Sequence, residues 1–167
     1  MRNIVTLLLV FSSFGLFAQK MEVEVVGGTS FDGSNLVINN AGSDFSSSVV
    51  MESTVYLGVS SGSQWDNWGS TKRSWRINVR KEDINWNNDL KLEVARTGDG
   101  NWWYFLLYGS RVYDGMSYQT IANNSTYFFR GKGLLADVPI QLRLSGFSVT
   151  QGANDFETNV VLTIYDD

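Results

Sequence analysis

The run Trp75-Arg76-Ile77-Asn78-Val79-Arg80 alternates apolar and polar side chains without a break. Successive side chains of an extended chain point to opposite faces. Trp75, Ile77 and Val79 therefore share one side, and Arg76, Asn78 and Arg80 the other. A helix would scatter the same residues around its circumference. The spacing predicts a strand with one dry and one wet face, and such strands belong to antiparallel sheets. Trp75, in phase with Ile77 and Val79, is expected in the core, pinning two sheets together.

The same period recurs on either side. Met21, Val23 and Val25 alternate with Lys20, Glu22 and Glu24 until Gly27-Gly28 ends the segment, and Val49, Met51, Val55, Leu57 and Val59 hold one phase of a longer strand. Further on, Leu90, Leu92 and Val94 alternate with Lys91 and Glu93, and Ile140, Leu142 and Leu144 with Gln141 and Arg143. Phe156, Val160, Leu162 and Ile164 mark a closing strand. Gly-, Ser- and Asn-rich breaks lie between: Gly27 to Ser34, Ser60 to Thr71, Gly98 to Asn101, Gly109 to Ser117, Ile121 to Ser125 and Gln151 to Asp155. Such clusters favour turns, through positive φ and side-chain bonds to the backbone. Beyond the first residues no stretch sustains an i, i+3, i+4 apolar stripe. The expected fold is all-β, a single antiparallel β-sandwich, immunoglobulin-like or jelly-roll-like, over residues 19–167.

Residues 1–18 read as an address. A basic start, Met1-Arg2-Asn3, precedes an apolar stretch from Ile4 to Ala18 that contains two serines and a glycine. A spanning helix needs about 20 apolar residues, whereas a signal-peptide core needs roughly 7–15. A secretion signal cut after Ala18 is expected, with no transmembrane segment once it is removed. The mature chain would then be secreted.

Composition narrows the chemistry. The 167 residues include no cysteine and no histidine, and the formal net charge is −4. Thiol nucleophiles, imidazole bases, Cys/His zinc sites and disulfides are excluded. The negative balance argues against nucleic acid as a partner. Carboxylates fall at alternating strand positions (Glu22, Glu24, Glu52, Glu93) or in turns (Asp32, Asp66, Asp99, Asp114), with no two specifically paired as a glycosidase requires. Asp99-Gly100-Asn101 and Asn87-Asn88-Asp89 offer oxygen ligands but lack the spacing of a calcium loop. The expectation is a non-enzymatic protein without metal or cofactor.

Tryptophans supply the most informative pattern. Trp65, Trp68, Trp86, Trp102 and Trp103 stand in or beside polar stretches such as Gln64-Trp65-Asp66-Asn67-Trp68 and Asn85-Trp86-Asn87. Flat indoles flanked by amides can stack on sugars or meet a protein partner. They can equally cap the ends of a sandwich. Trp102 and Trp103, if extended, point to opposite faces, so at most one belongs to the core. The N-terminal strand is a second feature, with Met21, Val23 and Val25 on one face and a Gly27-Gly28 hinge behind them. It can pair within its own sheet or complete that of a neighbour.

A leader, an all-β body, the strand Trp75-Arg76-Ile77-Asn78-Val79 and a closing aliphatic strand ending in Tyr165 together resemble secreted fimbrial-subunit-like sandwiches of Gram-negative envelopes. Spore-coat-U-type and chaperone–usher pilin domains are similar in outline. The resemblance implies a structural or adhesive surface protein, with Met21, Val23 and Val25 as donor-strand residues. Phe156, Val160, Leu162 and Ile164 would line the accepting groove. The partner would then be another copy of the chain, in a strand-exchange filament, or a cell-surface glycan. A carbohydrate-binding module using the loop tryptophans is the alternative.

Overall fold

The computed structural model describes residues 21–27, 48–50, 55–61, 73–102, 110–148, 151 and 155–167. Eleven strands order them: β1 (Met21–Val26), β2 (Val49–Val50), β3 (Val55–Ser61), β4 (Ser74–Asn85), β5 (Lys91–Arg96), β6 (Asn101–Trp102), β7 (Arg111–Tyr113), β8 (Gln119–Thr120), β9 (Thr126–Lys132), β10 (Leu135–Ser145) and β11 (Glu157–Asp166). All pairings are antiparallel. One sheet runs β1-β3-β10-β5-β8, with β2 and β6 also on β10, and the other runs β11-β4-β9-β7. Their inner faces meet in one core, so the fold is an antiparallel β-sandwich.

Burial follows the sequence period. Trp75, Ile77 and Val79 of β4 are fully buried, as are Leu57 and Val59 of β3 and Val94 of β5. Strand β10 is the spine of the first sheet. It carries β3 and then β2 along one edge, and β6 and then β5 along the other. The chain's one proline, Pro139, sits in this spine, where a residue without an N–H loses a ladder bond. Its position makes the loss tolerable: β5 ends at Arg96, opposite Ile140. The Pro139 carbonyl then accepts from Thr97 N–H at 2.8 Å, in the turn that leaves β5.

Trp75 locks the second sheet. Its indole Nε1–H donates to the Gly133 carbonyl at 2.7 Å, and its ring meets Phe129 edge-on with centroids 5.9 Å apart. Directly across the ladder stands Gly131. A Cβ there would lie 2.3 Å from the indole ring, so the ring occupies the space that any larger residue would claim.

Strand β9 departs from simple alternation. Ile77 faces Phe129, but Asn78 faces Tyr127, which leaves Phe128 as an extra residue. This bulge turns two consecutive aromatics inward. Phe128 and Phe129 are both buried, with rings edge-to-face at 4.9 Å. Strand β7 lies inside Gly109 to Ser117, which the sequence marks only as a break. Its three residues are too few to show a period, and only Val112 packs on the core.

From β7 the chain crosses to the other sheet through Asp114 and Gly115, both with positive φ. The nearly buried Arg96 holds this crossing. Its Nε donates to the Asp114 carbonyl at 3.0 Å, and its Nη1 donates to the Gly98 carbonyl and the Asp99 carboxylate.

Trp75→Ala is expected to cost about 3–5 kcal/mol and Gly131→Ala about 1–3 kcal/mol. The double variant should lose less than the sum, because the added methyl would no longer meet the indole. Urea denaturation midpoints of the three variants check this. Strict additivity would mean that ring and glycine do not share one space.

Candidate functional site

Two strand edges come together on one side of the sandwich. Strand β1 pairs with β3 from Met21 opposite Ser61 to Val26 opposite Tyr56, and no other described strand pairs with it. Strand β11 pairs with β4 along its whole length, and again no described strand takes its other edge. The two edge strands contact each other across the sheets.

The edges are held differently. Met21, Val23 and Val25 face inward with Val59 and Leu57, yet Met21 is buried, Val23 half-buried and Val25 51% exposed. The apolar face of β1 thus runs out of the core towards its Gly27 end. Strand β11 is clipped to β4 at both ends. At its start Thr158 Oγ1–H is shared between the Glu82 carbonyl at 3.1 Å and the Asp83 carboxylate, and Asn85 Nδ2–H bonds the Asp155 carbonyl at 2.7 Å. At its end Arg73 pairs with Asp166, and Arg76 with Asp167 at 2.6 Å. Phe156, Val160, Leu162 and Ile164 pack against the core but stay only partly buried.

Trp86 follows β4 directly. Its ring packs half-buried against the core, its Nε1–H donates to the Leu90 carbonyl at 3.3 Å, and the Lys81 ammonium lies 5.0 Å from the ring centroid. Both flanking amides bind their own chain, Asn85 as above and Asn87 through Oδ1, which accepts from Asp89 N–H at 2.9 Å. The geometry is that of a cap over one end of the core. The backbone of Trp102 lies in β6, opposite Leu135. Trp65, Trp68 and Trp103 lie outside the described residues. The two loops with oxygen ligands also engage their own chain, Asn87 in its turn and Asp99 on Arg96.

Near the end of β4, Asp83 joins three elements. It accepts from Lys81 Nζ at 2.6 Å, Asn123 Nδ2 at 2.8 Å and Thr158 Oγ1 at 3.0 Å. Burial pulls its carboxyl upward, but these hydrogen bonds and the Lys81 charge outweigh that and hold it below the usual carboxylate value.

The outer face of the second sheet carries a pattern that only the register creates. Tyr165, Arg76, Arg130 and Tyr113 form one row across β11, β4, β9 and β7, and Ser74, Lys132 and Arg111 form the next. The alternation of β4 already sets Arg76 and Arg80 on this wet side, but sequence reasoning missed the rest of the face, because β9 and β7 showed no clean period. In the sequence Arg111, Arg130 and Lys132 merely lie close to Tyr113 and Tyr127.

Comparison with protein-family models finds no match, and searches of curated proteins and of solved structures return no significant one.

The Asp83 junction predicts a pH dependence. Its carboxyl titrates lower in the folded chain than in the unfolded one, so the unfolded state binds more protons over that interval. The stabilisation is complete above the ordinary carboxylate range and is lost as pH falls through the folded value. Asp83→Asn should therefore be less stable than wild type at pH 7, and the gap should close towards pH 3. Thermal melts at the two pH values check this, and an unchanged gap would contradict it.

Proposed function

We propose that the mature chain is a secreted, non-enzymatic protein of a Gram-negative-type cell surface, structural or adhesive in role, that self-associates by exchanging strands. One observation carries the reading: the edge of β11 that no described strand takes. From Val160 to Tyr165 this strand is uncharged, without proline, and rich in β-branched residues. An edge of that kind pairs readily with another strand. Because β11 is clipped to β4 at both ends, it is the accepting strand. Strand β1 is the donor, since its apolar face is only partly used at home and ends at a glycine with φ 141°. One subunit would then give β1 and receive its neighbour's, a head-to-tail contact that need not close and can grow into a fibre.

Sedimentation of the chain from Gln19 onward over a wide concentration range tests this reading. Oligomers that lengthen with concentration are expected. Deletion of Gln19 to Val26 should give an unstable chain that the same segment, added as a peptide, rescues. Val161→Lys should suppress association while changing stability by less than about 1 kcal/mol. A monomer at every concentration, with β1 amides protected from hydrogen exchange, would overturn it.

A further inference from the structure

The chain is acidic overall, yet the outer face of the second sheet carries Arg76, Arg80, Arg111, Arg130 and Lys132. Like charges directly opposite each other on a sheet are destabilising, and this face holds two such pairs, Arg76 with Arg130 and Arg111 with Lys132. The first pair is relieved within the molecule. Arg76 lies over the Tyr165 ring, 5.0 Å from its centroid, and bonds Asp167 at 2.6 Å. Arg130 lies 5.7 Å from the Tyr113 centroid and 3.4 Å from Asp114. Arg80 is paired with Glu82 at 2.5 Å. The second pair has no such relief: both side chains are exposed, and no carboxylate of the described residues pairs with either.

Tyr113 stands in the row next to the two cations, Tyr165 lies in that row across the sheet on β11, and Tyr127 lies further along β9. Tyr113, Tyr127 and Tyr165 are each about two-fifths exposed, at 42%, 42% and 39%. Tyr127 is held in place by donating its hydroxyl to Asp114 at 2.5 Å. Such rings offer an apolar face for the C–H side of a sugar and, in their hydroxyls, a polar rim.

We propose that this face binds an acidic polysaccharide, with Arg111 and Lys132 clamping one carboxylate or sulfate while sugar rings lie along Tyr113 and its neighbours. Charge complementarity selects the occupant. Neighbouring strands lie about 4.7–4.9 Å apart, so the two cations can close on a single acid group. Asp114, Asp167 and Glu82 stand among the cations and repel a dense polyanion. Duplex DNA, with one charge per roughly 1.7 Å of axis, meets those carboxylates at every register, whereas a polymer with about one charge per sugar can place its acids between them. The Arg111 and Lys132 clamp lies on β7 and β9, at the opposite side of this sheet from β11, so binding requires no self-association.

Affinity electrophoresis of the chain from Gln19 onward, in gels containing polygalacturonate, heparin, dextran or single-stranded DNA, tests the proposal. Retardation by polygalacturonate, by heparin or by both is expected, weakening as salt rises, and the two gels distinguish carboxylate from sulfate recognition. Dextran should have no effect. Arg111→Gln with Lys132→Gln should weaken binding about tenfold or more, whereas Lys91→Gln, on the other sheet, should not. Circular dichroism verifies that each variant folds. The proposal is overturned if neither acidic polysaccharide retards the protein, if the double variant binds as the Lys91 variant does, or if DNA binds more tightly than both polysaccharides.

Discussion

The second sheet is assembled around an indole that has no room to move. Trp75 fills the space above Gly131, donates to the Gly133 carbonyl and presses edge-on against Phe129. All three contacts tie β4 to β9 and its following turn. They fix the ladder register, because a one-residue slip would bring a side chain to the place of Gly131 and turn the Trp75 face outward. The outer face depends on the same lock. Tyr165, Arg76, Arg130 and Tyr113 share a row only while Trp75 faces Gly131.

Much of this architecture was legible in the sequence. Strands β1, β4, β5, β10 and β11 each keep one apolar phase, and their inner residues are those the alternation selects. Strand β9 was not legible. Its bulge sets Phe128 beside Phe129 on the same side, so the period of two fails where the core is most aromatic. Strands β7 and β8 are too short to have a period. Their pairing comes from neighbours far away in the chain.

The functional surfaces divide in the same way. The N-terminal strand was visible as a unit, because its apolar face and its glycine stop are both local. Asn85-Trp86-Asn87 was visible as a motif, but its use was not: the Trp86 ring packs on the core, and both amides bond to their own backbone. Flanking polar residues announce an exposed loop only when those residues are free to face solvent. The Arg111 and Lys132 pair lay beyond any local reading, since the two residues become neighbours only through the β7–β9 register.

The placement of β10 has a consequence for how the molecule comes into being. Four strands, β2, β3, β5 and β6, reach their common partner only through it, and all four precede it in the chain. During synthesis these segments must therefore wait, with β1 and β3 able to form no more than a two-stranded pair of marginal stability. The first sheet condenses late and through contacts remote in sequence, a topology associated with folding in milliseconds to seconds rather than microseconds. Every pairing that β10 makes is with a strand already synthesised, so its emergence is what joins them into one sheet.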